Sequence, residues 1–315
     1  MRKLGVAVIG AGFWGRNHAR NLKELNETRL VAVCDKDSAK AKAIAELFGV
    51  EAYSDSREML KRKDVEAATV CTWSTNLAAE TMRVLKAGKH VLVEKPMANN
   101  VQEAGKIVDL AKKNQRHVMV GFLMRFIPGV QRIKEAAQKG EIGTLVCANA
   151  RRVSEWPERI GDVGVVKDLA IHDIDITRYL FGDDPVEVYA KAGSFRHKQF
   201  EDHAQILLTF KGGKTAFIEA NWLTPYKIRK LIVTGSKAIM TLDYITQEIT
   251  IETSGQTLAP RYEVKEPLKL ELQHFANSIL NDKEPMITGM DGLKAVQIAE
   301  AALKSARKGT AMKLK

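Results

Sequence analysis

Apolar residues in the first third of the chain fall into short continuous runs, and in the stretches between the runs they recur at helical spacing. Leu4 to Ile9, Leu30 to Cys34, Ala67 to Thr72, His90 to Val93 and His117 to Gly121 read as strands buried on both faces. Arg16 to Leu25, Ser38 to Phe48, Arg57 to Lys61, Leu77 to Ala87 and Val101 to Asn114 carry the helical period. Such alternation predicts an α/β fold with a parallel, doubly wound sheet covered on both sides. Two helix ends agree: Asn100 stands as an N-cap before Val101, and Gly88 follows Leu77 to Ala87 as a C-terminal glycine.

Past Gly121 the pattern changes. Helices are predicted at Gln131 to Gln138 and Ile171 to Leu180, with a strand at Leu145 to Ala150 and a loop-rich stretch between them. Strands then follow at Val186 to Ala192, Gln205 to Phe210, Thr215 to Trp222, Lys230 to Thr234, Ala238 to Asp243 and Glu248 to Thr253, with Gly212-Gly213 and Gly235-Ser236 as hairpin signals. Helical patterns at Leu268 to Leu280 and Gly292 to Ala306 close the chain. The expected organisation is a doubly wound domain over residues 1–121, then an α+β domain over residues 122–315 built on a large, mostly antiparallel open sheet.

Composition narrows the class. A chain of 315 residues with 45% apolar residues can support two domains with cores of their own. It holds no apolar run of membrane-spanning length and no N-terminal leader pattern, so a cytoplasmic protein without membrane contact is expected. The three cysteines, Cys34, Cys71 and Cys147, sit in scattered strand-like runs and read as small buried hydrophobes rather than metal ligands. The net charge of +11 is spread over helical stretches without interleaved aromatics, which argues against a nucleic-acid partner and leaves an anionic small substrate as a use for part of it.

The chemistry starts at Val6-Ala-Val-Ile-Gly10-Ala-Gly12-Phe13-Trp14-Gly15. After a buried strand and before a helix, the three glycines provide a tight turn, close approach to a pyrophosphate, and close helix packing. Asp35 stands about twenty residues past Gly15, where a carboxylate bonds the adenosine ribose and repels a ribose phosphate, so NAD is expected over NADP despite Lys36 and Lys40 nearby. Glu94-Lys95-Pro96 follows the strand His90 to Val93, at the carboxyl edge where a cofactor lies; on composition alone Lys95 would be an ordinary surface lysine. Asp168 and His172, four apart at the start of an apolar helix, can share a face on which a carboxylate orients an imidazole, although isolated spacing of this kind is common. Asp173 and Asp175 read as first-turn acids favoured by the helix dipole.

Together the glycine loop, Val91 to Pro96, Gly121 to Phe126 and Asp168 to His172 resemble, in order and spacing, the glucose-fructose oxidoreductase and inositol dehydrogenase (Gfo/Idh/MocA) family. The resemblance covers essentially the whole chain. It implies a Rossmann domain followed by an open-sheet domain, with assembly as a homodimer or homotetramer. It puts Lys95, Asp168 and His172 at catalytic positions and makes Lys95-Pro96 a candidate cis peptide. Gly10, Gly12, Phe13, Trp14, Gly15, Asp35, Thr72, Trp73, Glu94 and Lys95 become the expected cofactor residues. The family's usual Thr-Pro and nearby histidine are replaced here by Thr72-Trp73 and Leu77, and its D-x-G-x-H glycine by Ala170. In the implied mechanism His172, oriented by Asp168, takes the hydroxyl proton as hydride leaves the same carbon, while Lys95 hydrogen-bonds the developing alkoxide.

The substrate is expected to meet Lys95, Arg125, Arg151, Arg152, Arg159, Asp168, His172 and Tyr226, with Lys167 nearby. Several of these are cationic, and the stretch Trp222 to Lys230 adds aromatic and basic groups that could stack on a base or bind phosphate, or serve a subunit interface. These segments resemble sugar-nucleotide 3-dehydrogenases, those oxidising UDP-N-acetylglucosamine above all. A polyol such as myo-inositol is the alternative substrate, and a catalytically silent NAD-binding regulator the alternative of another class.

Overall fold

The computed structural model describes residues 2–157 and 161–314. One compact unit comprises Met1–Leu123 with Pro267–Val296, the other Met124–Glu266 with Gln297–Lys315. The first runs β1 (Leu4–Ile9), α1 (Phe13–Glu24), β2 (Thr28–Cys34), α2 (Ser38–Phe48), β3 (Glu51–Tyr53), α3 (Ser56–Leu60), β4 (Ala67–Val70), α4 (Ser74–Lys86), β5 (His90–Val93), α5 (Val101–Asn114) and β6 (Val118–Val120). Among the described residues its sheet has six parallel strands in the order β3-β2-β1-β4-β5-β6. The order reverses between β1 and β4, and ligands of open α/β sheets bind beyond the strand ends at such a point.

Local chemistry explains the element ends. The Asp37 side chain accepts the Ala39 and Lys40 N–H groups at the start of α2, and Asn100 accepts Glu103 N–H at the start of α5. Gly88 takes a left-handed φ of 71° after α4, a conformation a Cβ would strain. The short β3 escaped the sequence reading because two of its three residues are exposed and leave no apolar run. Cys34 and Cys71 are buried, and burial pushes the Cys34 thiol up to about 12.

The second unit contains α6 (Pro128–Gln138), β7 (Leu145–Val153), a π-turn over Val166–Ala170 leading into α7 (Ile171–Phe181), and β8 (Glu187–Gly193), β9 (His203–Thr209), β10 (Thr215–Asn221), β11 (Ile228–Gly235), β12 (Ile239–Asp243), β13 (Ile249–Glu252) and β14 (Thr257–Leu258). α8 (Pro267–Leu280), α9 (Gly289–Lys308) and β15 (Met312–Lys313) complete the chain. Among the described residues the large sheet has nine strands, ordered β14-β13-β12-β11-β7-β10-β9-β8-β15, with β7 and β10 parallel. Alternate residues of β7, Ala148, Ala150 and Arg152, are buried, whereas Asn149 and Arg151 are exposed, so one sheet face is covered and the other open.

A single division after residue 121 does not describe the compact units, because residues 267–296 cluster with the first. Lys269 Nζ lies 3.0 Å from Glu24, Gln273 donates to Glu27, and Leu272 and Phe275 are buried. Helical periodicity marks which face of α8 is apolar, not which sheet that face will meet. Among the described residues no helix is long and apolar enough to cross a membrane.

Candidate active site

The glycine loop joins β1 to α1. A Cβ on Gly10, whose φ is 101°, would stand 2.6 Å from the Cys71 carbonyl oxygen, and one on Gly15 would lie 1.7 Å from the Gly10 carbonyl oxygen. These two positions need glycine because backbone passes against backbone. A Cβ on Gly12 would meet nothing within 4 Å, so the space above it is open. Gly12 is the N-cap of α1 and supplies no side-chain cap, which leaves the first N–H groups of the helix to a ligand. The Asp35 carboxylate accepts Ala11 N–H at 2.7 Å and Asp37 N–H at 2.9 Å, one on each oxygen. Each oxygen keeps a further lone pair for a ribose hydroxyl. Open space, unclaimed helix donors and a tethered carboxylate fit a dinucleotide. Phe13 and Trp14 are exposed at the same helix start, their rings 5.6 Å apart.

At the end of β5 Glu94 turns into the interior, where it is 5% exposed. Its Oε1 lies 3.1 Å from His18 Nε2, and its Oε2 accepts Lys95 N–H at 3.2 Å. The Glu94 side chain therefore holds the backbone of Lys95 in place. Lys95 is half-buried, and the Lys95-Pro96 bond is cis. Trp73 is exposed at the start of α4 beside the half-buried Thr72, whereas Leu77 is a core residue, 1% exposed.

In the second unit Asp168 lies in the π-turn and His172 in the first turn of α7. The backbone is right-handed helical at Val165, Ala170 and Ile171, so the two residues stand about one turn apart on a continuous path. His172 is 7% exposed and Asp168 half-buried. α7 is buried from Ile171 to Thr177, so any charge within that span must carry its own partner.

Those partners correct the reading of two acids. Asp173 and Asp175 are not solvated first-turn acids. Asp173 accepts Arg152 Nε at 2.7 Å and Nη2 at 3.0 Å, with both side chains 1% exposed. Asp175 accepts Arg125 Nε at 2.8 Å and Nη2 at 2.5 Å, and the Arg125 guanidinium lies over the Tyr179 ring. Arg125 is thus committed through Nε and Nη2 to a buried fork-to-fork pair, as Arg152 is. Arg151, next to Arg152 in sequence, lies on the open face paired with Glu219 at 2.9 Å, away from α7. Lys167 Nζ sits 3.9 Å from Glu300. Arg159 lies outside the described residues. Tyr226 is exposed before β11, whereas Trp222 is 3% exposed and packs edge-on against Trp156, which closes it to a base.

The sequence reading did not separate Arg229 from its basic neighbours. Arg229 lies directly across from Arg152 between β11 and β7. Burial and the Arg152 charge lower it to about 10, while Asp173 and Asp168 act in the opposite direction. The Arg229 charge, burial and Arg152 lower Lys227 as well. For Arg152 itself, burial opposes the charge but Asp173 outweighs it and the pKa is raised. A strand-end arginine two positions past a lysine was the available signal.

Comparison with known proteins matches residues 4–122 to a family model described as an oxidoreductase family, NAD-binding Rossmann fold, and residues 130–241 to a GFO/IDH/MocA C-terminal domain. A myo-inositol 2-dehydrogenase of Thermotoga maritima is 29% identical, with 98% of each chain covered. An inositol 2-dehydrogenase of Rhizobium meliloti is 30% identical, with 95% of each covered. The solved UDP-N-acetylglucosamine 3-dehydrogenase from Acidithiobacillus ferrooxidans has a TM-score of 0.91 at 23% identity, covering 98% of this chain and 99% of that one, a likeness of fold.

The two neighbouring arginines of β7 should respond very differently to substitution. Asp173→Asn, which leaves Arg152 buried and uncompensated, should lower stability by about 3–5 kcal/mol. Arg151→Ala should change it by about 1 kcal/mol or less. Urea unfolding of both variants tests this, and similar losses would contradict the assignment of faces.

Proposed function

Because the chain belongs to the GFO/IDH/MocA oxidoreductase family, we propose that Lys95, Asp168 and His172 oxidise a sugar hydroxyl with NAD, and that the substrate is UDP-N-acetylglucosamine, oxidised at its 3-hydroxyl. The reaction class rests on Asp168 and His172 standing one turn apart at the head of a buried helix, in a chain whose first domain is an NAD-binding fold. Bound NAD supplies the hydride acceptor. The pyrophosphate would be held by the Gly10 to Gly15 loop and the adenosine ribose by Asp35, with Phe13, Trp14, Thr72 and Trp73 around the cofactor. His172 takes the hydroxyl proton, and Asp168 stabilises the imidazolium that results. Lys95 donates a hydrogen bond to the oxygen as it gains negative charge.

The substrate reading is carried by the excess positive charge of Arg229, which feels Asp168, and of Lys227, which feels Arg229 and Arg152, an environment that suits an anion. Its product would be a 3-keto sugar nucleotide. The inositol dehydrogenases similar to this chain along nearly its whole length favour a second reading, a free polyol such as myo-inositol. On the open sheet face Leu207, Phe217 and Ile232 lie in one row of the register and are 40%, 41% and 38% exposed, which supports a homodimer or homotetramer built on that face. A cytoplasmic location is part of the same proposal.

Following reduced cofactor with UDP-N-acetylglucosamine and with myo-inositol tests the substrate. Turnover of the sugar nucleotide, with an apparent KM that rises with salt, is expected. Turnover of myo-inositol alone, insensitive to salt, would remove the sugar-nucleotide reading and leave the reaction class.

Lys95→Met and His172→Ala should each retain NAD binding and lose turnover by a factor on the order of a hundred or more. A rate near that of the unmodified enzyme in either variant would contradict the mechanism. Asp35→Ser should weaken NAD and improve NADP, since it removes a ribose partner and a charge that repels phosphate. KM for the two cofactors measures this, and a native preference for NADP would show that Asp35 has another role.

A further inference from the structure

We propose that Arg229, with Lys227 and the buried Nη1 of Arg152, forms an anion subsite near the head of α7 that takes the diphosphate of the substrate; this rests on the sugar-nucleotide reading above. The antiparallel register of β7 and β11 sets Arg152 directly opposite Arg229. They share the covered sheet face with Ala150 and Leu231, the buried pair two positions along the same ladder. Across β7 from Arg229 the row continues through Ala220 and Ala204, whose methyl groups fill little space. On the other side Tyr244 N–H donates to the Arg229 carbonyl, and the Arg152 guanidinium lies over the Tyr244 ring at 5.1 Å.

Like charges directly opposite each other destabilise a sheet. Asp173 answers Arg152, but among the described residues no carboxylate makes a hydrogen bond or ion pair with Arg229 or Lys227. The buried Nη1 of Arg152 and the buried Tyr244 hydroxyl have no hydrogen-bond partner among them either. A structural role does not account for this surplus of donors and charge. Two facing arginines, one buried and one half-buried, are held in an arrangement that costs free energy until an anion arrives, the pattern of a site kept for binding at the expense of stability. Burial and mutual repulsion already lower Arg229 and Lys227, and a bound anion would reverse that shift.

The chemical class follows from the donors. A guanidinium fork matches the paired oxygens of a phosphate, and a nearby ammonium adds an adaptable charge. In the proposed substrate the 3-hydroxyl lies two ring carbons from the anomeric carbon that bears the diphosphate. A diphosphate subsite therefore has to adjoin the residues that remove the hydroxyl proton, and Asp168 acts electrostatically on both Arg152 and Arg229.

The test titrates inorganic pyrophosphate calorimetrically into enzyme saturated with NADH, so that the glycine loop is already filled. The unmodified enzyme should bind it with an affinity that falls with salt. Arg229→Ala should weaken binding about tenfold or more, and Arg229→Lys by less. Lys230→Ala, which removes the same charge from the exposed position opposite Arg151 on the open face, should change it by about twofold or less. Without ligand, Arg229→Ala should melt no lower than the unmodified protein, because a cross-strand repulsion is gone. No pyrophosphate binding by the unmodified holoenzyme, or equal affinity in Arg229→Ala, would overturn the subsite. UDP-N-acetylglucosamine turnover with KM unaffected by Arg229→Ala would overturn it too, while sparing the substrate reading. Arg229-dependent pyrophosphate binding in an enzyme that oxidises only myo-inositol would do the reverse.

Discussion

The ion pair between Arg152 and Asp173 governs the second unit. It ties β7, a central strand of the large sheet, to the first turn of α7, and both side chains are almost wholly removed from water. Two desolvated charges persist only if each is the other's partner and the geometry is good, and here two nitrogens of one guanidinium meet both oxygens of one carboxylate. His172 immediately precedes Asp173, so the constraint on the aspartate also fixes where the imidazole can stand. A second pair, Arg125 with Asp175, holds the same helix two residues further along. The head of α7 is thereby pinned in rotation as well as in position, as the role proposed for His172 requires.

The first unit solves a comparable problem without an arginine. Glu94 is buried against His18 and receives Lys95 N–H, and Gly121 passes so close that a Cβ there would stand 3.2 Å from the Glu94 carboxyl carbon. The backbone at the end of β5 is held from beneath, while the Lys95 side chain remains half-buried. In both units, then, a buried carboxylate positions a residue next to it in sequence.

Among the described residues, charge distribution separates cations with a carboxylate partner from cations without one. Arg125 and Arg152 are matched by carboxylates on α7, and Arg151 by Glu219 on the open face. Among the described residues Arg229 and Lys227 have no such match; Arg229 stands opposite Arg152 and feels Asp168, and Lys227 feels both arginine charges. The strongly positive net charge of the chain says little about this, since most of it lies on exposed side chains; what matters is an uncompensated cation on a covered sheet face.

The doubly wound half of the fold was legible in sequence because its signals are local. Apolar runs, the glycine spacing before α1 and the caps at Asn100 and Gly88 each act within a few residues of where they are written, and Asp35 reaches only as far as Ala11, across one strand–helix–strand unit. The antiparallel half was legible as a list of strands for the same reason, and Asp168 and His172 as a pair because one helical turn relates them. Strand order and register were not, and the roles of the arginines depend on them. Arg151 and Arg152 are adjacent in sequence but face opposite sides of the sheet, Arg125 and Asp175 meet across fifty positions, and Arg229 acquires its meaning only opposite Arg152. Residues 267–296 likewise carry an apolar face whose destination the period does not specify. The sequence determined the elements and the chemistry each one offers, whereas pairing over long separations, which depends on how those elements stack and align, decided which charges find a partner inside the fold.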